Sequence, residues 1–113
     1  MATLIENKKI LDEVAFDASQ TSSSDYIGDC KTYAIQFIWS GATGATGDLI
    51  VEGSIDNATF VPVDSFGITG ESSGSRLVNV EIAGYSHVRV RWAYSAGSNG
   101  TLSVYIASKK EER

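Results

Sequence analysis

Residues 87–95 read HVRVRWAYS, and the alternation of side chains in this stretch decides the fold class. The apolar residues Val88, Val90 and Trp92 occupy every second position, and polar or small residues stand between them. A period of two places the apolar set on one face of an extended chain and the polar set on the other. The stretch therefore predicts a β-strand with one buried face.

The same alternation recurs along the chain and predicts about seven or eight strands. The predicted strands are residues 10–19, 26–27, 31–40, 48–55, 59–63, 76–83, 87–95 and 101–108. Residues 4–16 could form either a strand or a short helix, and the alternation within them favours a strand. Turn residues separate the later segments at roughly the 8 to 12-residue spacing of all-β folds. The expected fold is all-β, an antiparallel, jelly-roll-like β-sandwich.

Size and charge define a single acidic domain. The chain has 113 residues, of which 42% are hydrophobic, and a formal net charge of −5. We expect one β-sandwich domain over residues 1–108 and a charged C-terminal tail over 109–113. An acidic body argues against nucleic acid and anionic membranes as partners, because both attract cationic surfaces.

The cysteine count and the short apolar runs exclude several further kinds of site and segment. The single cysteine, Cys30, cannot form a disulfide within the chain, and we expect it to be a buried or half-buried thiol. One cysteine and one histidine cannot supply a Cys/His zinc site. The N-terminal residues lack the apolar core of a secretory signal, and no apolar run reaches the roughly 18 residues of a membrane span.

The glycine-rich stretch GATGATG, residues 41–47, raises the question of a phosphate-binding loop. Such a loop precedes a helix and usually carries a lysine, whereas this stretch has no lysine and precedes a predicted strand. We therefore expect a mobile hairpin loop that joins two strands. His87 lies in a strand, and no G-x-S-x-G motif presents a nucleophile. The sequence predicts no catalytic residue, cofactor or metal, and hence no enzyme.

The polar row of residues 87–95 is the clearest candidate surface. His87, Arg89 and Arg91 lie on one strand face of an acidic protein, so they suit contact with an acidic partner. The same side chains could instead pair across strands with Glu52 or Glu81, for a few tenths of a kcal/mol each, as is usual for exposed pairs. Both interpretations stay open at this point.

Several short segments together resemble small β-sandwich structural proteins of tailed phages. The segments are Trp39-Ser40-Gly41, Gly53-Ser54-Ile55-Asp56, Phe60, Tyr85 to Val90 and Gly100 to Val104. The resemblance covers residues 25–108 and implies a capsid decoration, auxiliary or fibre-associated protein. It also implies a homo-oligomer, with a trimer among the expected forms, and partners such as the major capsid protein. It places the protein on the capsid surface of a virion that is assembled in the host cytoplasm.

The turn at Gly53-Ser54-Ile55-Asp56 and the strand from Tyr85 to Val90 also resemble those of discoidin-like, galactose-binding sandwiches. A carbohydrate-binding module is therefore the alternative. Aromatic side chains on loops would then contact sugar, and the candidates are Tyr26, Phe66 and Tyr85. Phe66 and Ile68, in a glycine-containing segment, could alternatively form a loop that contacts a partner protein.

Overall fold

Every regular element of the described chain is a β-strand, as the alternation predicts. The structure is a computed structural model that describes residues 2–28, 32–80 and 85–112. The strands are β1 (Ala2–Ala15), β2 (Gln20–Thr21), β3 (Asp25–Tyr26), β4 (Thr32–Ser40), β5 (Thr43–Ser54), β6 (Val61–Glu71), β7 (Gly74–Val80), β8 (His87–Ser98) and β9 (Thr101–Glu112). Cys30 and the end of the predicted strand 76–83 lie outside the described residues.

The strands form two antiparallel sheets that face each other, which confirms the β-sandwich. The first sheet has the order β1-β9-β4-β7. The second has the order β2-β8-β5-β6, and β3 also pairs with β8. Because β4 belongs to the first sheet and β5 to the second, the chain crosses from one sheet to the other between them.

Strands β1 and β9 pair over almost their whole length, from Ala2 opposite Glu112 to Ala15 opposite Thr101. The strand interpretation of residues 4–16 is thus confirmed. The C-terminal residues differ from the expected tail, since β9 continues as far as Glu112. Charged side chains predict exposure to solvent, but they leave the backbone free to pair, and β1 supplies the partner strand.

The core lies between the sheets and is centred on three stacked aromatic rings. The Phe16 ring lies 4.4 Å from the Trp92 ring and 6.1 Å from the Trp39 ring, measured between centroids. Trp92 Nε1 donates a hydrogen bond of 3.0 Å to the carbonyl oxygen of Phe16. Trp39 Nε1 is buried and makes no hydrogen bond to the described residues. The inner rows of β4, β8 and β9 contribute a large part of the remaining core: Tyr33, Ile35, Phe37, Val88, Val90, Leu102, Val104 and Ile106.

The glycine-rich stretch is mostly strand, which corrects the expected mobile hairpin loop. Only Gly41 and Ala42 lie between β4 and β5, and the two strands belong to different sheets. Ala42 and Ala45 are buried in the core. A Cβ on Gly47 would lie 2.7 Å from the Trp92 ring and would clash with the carbonyl oxygen of Ala93. At Gly47 the neighbouring strand therefore leaves no space for a larger residue.

Candidate partner-binding face on the second sheet

The outer row of β8 lies in the interior of the second sheet, between β2 and β3 on one side and β5 on the other. Its alternation brings His87, Arg89 and Arg91 to the outer face, while Val88 and Val90 are buried beneath. All three predicted side chains thus share one face of one strand. Neighbouring strands on both sides fix the backbone that carries them.

Glu52 on β5 holds both arginines. It pairs directly with Arg89 in the register of β5 and β8. Arg89 Nε donates to Glu52 Oε1 over 2.8 Å, and Arg91 Nε donates to Glu52 Oε2 over 3.4 Å. The Glu52 side chain is only 6% exposed, although it lies on the outer face as the sequence predicts. The cross-strand interpretation is therefore confirmed for Glu52, whereas Glu81 lies outside the described residues.

The cluster of Glu52, Arg89 and Arg91 has one positive charge in excess, because two guanidinium groups share one carboxylate. Among the described residues neither arginine has another hydrogen-bond or ion-pair partner. Each guanidinium has five N–H donors and uses only that of Nε here. The ring of Phe60 lies against Arg89, with 4.1 Å between Cζ and the ring centroid. The arginine side chains are 31% and 38% exposed, so solvent reaches them.

His87 stands apart from this cluster at the end of the row. Its Nδ1 lies 2.9 Å from Ser86 Oγ, and its ring contacts Tyr26 edge-on, with 5.3 Å between centroids. None of the described contacts joins His87 to Arg89 or to Glu52. The predicted row of three is therefore an arginine pair and a separate histidine.

The segment with Phe66 and Ile68 is part of strand β6, which corrects the expected docking loop. Ile68 is 2% exposed and belongs to the core, and Phe66 packs against the core from its edge. Both face inward because they pair with Leu49 and Gly47 on the inner face of β5. Arg76 covers the Phe66 ring, with 4.9 Å between Cζ and the centroid.

The three candidate sugar-contact residues make separate contacts. Tyr26 is 57% exposed and packs against His87, whereas Phe66 is half-buried beneath Arg76. The hydroxyl of Tyr85 hydrogen-bonds that of Tyr33, and burial together with this bond raises the pKa of Tyr33 well above its usual range. Of the three rings that of Tyr26 is the most exposed, and Tyr85 lines a groove at the end of β5.

The groove at the end of β5 has a volume of about 460 Å³, and Tyr85 is the one candidate residue from the sequence that lines it. Exposed apolar side chains line it, above all Ile55, Val61 and Val63. The alternation predicts an inward Ile55, but β5 ends at Ser54 and Ile55 is 77% exposed. The following Asp56-Asn57 dipeptide is the signal of this break, since Asp and Asn favour turns.

The Asp56 carboxylate organises that turn. Its Oδ1 accepts hydrogen bonds from the backbone N–H groups of Ala58 and Thr59 and from the Ser54 hydroxyl, each over 2.9 Å. These bonds, led by the one from Thr59, lower the pKa of Asp56 to about 2. Asn57 adopts a left-handed conformation with φ of 58°, which asparagine tolerates well. The turn thereby fixes the end of the groove.

Within residues 2–28, 32–80 and 85–112, no three His, Cys, Asp or Glu side chains group as metal ligands would. In this part of the chain no helix has the length and apolar character to cross a membrane.

Solved structures with a similar fold include phage-derived and viral proteins. The SPBc2 prophage-derived protein YomS matches with a TM-score of 0.64 and 11% identity over 97% of this chain and 98% of that one. The PBSX exported protein XepA matches with a TM-score of 0.65 and 12% identity, over 97% of this chain and 38% of that one. A chain of infectious bursal disease virus, Gx strain, matches with a TM-score of 0.66 and 11% identity, over 96% and 32%.

At these identities the similarity establishes the fold alone. The sequence matches no protein-family model and no curated protein.

Proposed function

We propose that this protein is a non-enzymatic structural component of a bacteriophage particle, a capsid decoration or auxiliary protein that binds the particle surface and self-associates. The observation that carries the proposal is the similarity in fold of nearly the whole chain to the prophage-derived protein YomS. The match to about a third of a chain of infectious bursal disease virus supports the same role.

The strand order supports this proposal. Ser22 joins β2 to β3, because its N–H donates to the Val90 carbonyl and its Oγ accepts from the Val90 N–H, each over 2.9 Å. Counting β2 and β3 as one interrupted strand gives two four-stranded sheets, the arrangement of a jelly roll. Double-sheet jelly rolls occur in viral capsid and lectin domains.

The sheet edges formed by β6 and β7 support self-association. Among the described residues β6 pairs only with β5, and β7 pairs only with β4. Unpaired edges invite pairing with another chain, and closed rings of subunits satisfy them in many assemblies. We propose a homo-oligomer, with a trimer as one candidate, whose further partners are virion proteins such as the major capsid protein rather than nucleic acid or membrane. Assembly would take place in the host cytoplasm.

Particle composition tests the proposal. Phage particles whose genome encodes this chain are purified on a density gradient and analysed by quantitative mass spectrometry. We expect this chain in a fixed ratio to the major capsid protein. Its presence in the lysate together with its absence from purified particles would overturn the proposal. Sedimentation velocity tests self-association separately, because a strict monomer at every concentration contradicts the oligomer.

A carbohydrate-binding module is the second candidate, and the exposed ring of Tyr26 favours it. Open aromatic rings suit sugar binding because one face of a sugar ring is apolar. A glycan array with saturable binding that is lost in Tyr26→Ala would support this function. An array without binding leaves the virion role as the better account.

A further inference from the structure

We propose that Arg89 and Arg91, held in place by Glu52, form a docking site for Asp or Glu side chains of an acidic segment on a partner protein. The inference rests on the proposed function, since it names the chemistry by which the chain holds another protein of the particle. It differs from the sequence prediction in two respects. The site excludes His87, and it includes the buried carboxylate and the Phe60 ring.

The first argument is preorganisation. Glu52 is removed from water, and a buried carboxylate is strongly unfavourable unless charged donors compensate it. Both arginines therefore keep their Nε atoms on Glu52, and the Phe60 ring restricts Arg89 further. The entropy lost in ordering these long side chains is incurred during folding. Binding to the ordered pair consequently costs less than binding to two free arginines.

The second argument is charge. One guanidinium would neutralise Glu52, so the second leaves a local excess of one positive charge. Asp48 lies on the same face, opposite Ala93, but no ion pair joins it to Arg91 in the described structure. The chain as a whole has a net charge of −5, so the patch has the opposite sign to the body around it. Such a patch attracts anions locally and selects for orientation.

The third argument is the shape of the donors. The unused Nη donors of a guanidinium match the two oxygens of a carboxylate, which Arg binds in a bidentate manner. A nucleic acid needs several cationic contacts along its backbone, and the acidic body of this protein opposes it. Phe60 stands in the chain between Thr59 and Val61, which both line the apolar groove. The cationic pair and the groove therefore adjoin in sequence, which suits a segment with acidic and apolar residues.

A labelled hexaglutamate peptide is the probe, and its binding is followed by fluorescence anisotropy at low ionic strength. The double variant Arg89→Lys/Arg91→Lys keeps every charge and a partner for Glu52, but it removes the guanidinium forks. We expect about tenfold weaker binding, the usual scale for losing a good charged hydrogen bond. Arg76→Lys on β7 is the matched control and should bind as the wild type does. Equal affinity of the double variant and the wild type would overturn the inference.

Two further measurements separate the possible outcomes. An oligogalacturonate of equal charge that binds where hexaglutamate does not would assign the site to an acidic polysaccharide and overturn a protein partner. Particles assembled with the double variant provide the second measurement. Lower occupancy than wild type supports the docking site, whereas equal occupancy overturns it and leaves the virion role intact. Absence of the wild-type chain from particles instead overturns the proposed function.

Discussion

Strand β8 and the first residues of β5 lie side by side in the second sheet, but different features hold them in place. β8 fills the core with Val88, Val90 and Trp92. The segment 43–47 of β5 has small residues, and its register with β8 shifts on both sides of Thr46. The Trp92 ring and the Ala93 carbonyl occupy the space that a side chain on Gly47 would need. β8 therefore has a large side chain at Trp92, next to the position on β5, Gly47, where no side chain fits.

The largest effect is expected where β8 contributes most to the core. Trp92→Ala removes a buried ring, its stacking on Phe16 and the hydrogen bond to the Phe16 carbonyl. We expect the free energy of unfolding to fall by about 3–5 kcal/mol. Urea denaturation followed by circular dichroism measures this change, with the exposed Ser95→Ala as the control. A loss below about 1 kcal/mol would show that β8 does not anchor the core.

The complementary change adds bulk to β5. Gly47→Ala places a methyl group against the Trp92 ring, so we expect a loss of about 1–3 kcal/mol by overpacking. Gly67→Ala on β6 is the matched control, because its Cβ would meet only Asp48 Oδ1 at an ordinary 3.7 Å. The same denaturation assay compares the two variants. Equal stability of both would mean that β5 tolerates bulk and that the comparison with β8 fails.

On the outer face, Glu52 joins the two strands. Glu52→Gln leaves Arg89 and Arg91 adjacent without a carboxylate between them. We expect a loss of about 1–2 kcal/mol, less than for a fully buried pair because water screens the arginines. Glu71→Gln on β6 is the control, since Glu71 is exposed and has no ion pair in the described structure. A Glu52→Gln protein as stable as this control would contradict the role assigned to Glu52.

The smallest effect concerns the turn at the end of β5. The pKa of Asp56 is about 2 in the folded chain and 3.8 as a free carboxyl group. A lowered pKa stabilises the fold above pH about 4, and this stabilisation is lost as the pH falls through about 2. Carbon-13 NMR of the Asp56 carboxyl should give a midpoint near 2. A midpoint close to 4 would show that the turn does not hold the carboxylate.

Sequence reasoning succeeds where the two faces of a strand differ. In β8 the alternation predicts both the buried row and the outer row, and the outer row includes the arginines of the candidate site. Sequence reasoning fails for segment 43–47, because glycine, alanine and threonine show no clear difference in hydrophobicity between alternate positions. There the strand is formed by its neighbour β8, and tertiary pairing overrides local preference. Residues 109–112 show the same limit, since pairing with β1, and at Lys109 also with β4, explains their extended form.

The candidate site was predictable in part. The shared face of Arg89 and Arg91, and Glu52 as one of two cross-strand partners, follow from period two. Glu52 is the partner of the arginines because of the register between β5 and β8. The sequence of residues 87–95 does not reveal that register. Phe60 and the exposed Ile55 depend on where β5 ends, which a turn residue signals only approximately.

The stacked arrangement of Trp39, Phe16 and Trp92 has a practical consequence for experiments. Trp39 belongs to the first sheet and Trp92 to the second, and these are the two tryptophans of the chain. Both indoles are buried, but one donates to a carbonyl and the other makes no hydrogen bond to the described residues. Intrinsic emission therefore reports the separation of the two sheets without any attached dye. Trp39→Phe and Trp92→Phe proteins would resolve the signal of each sheet.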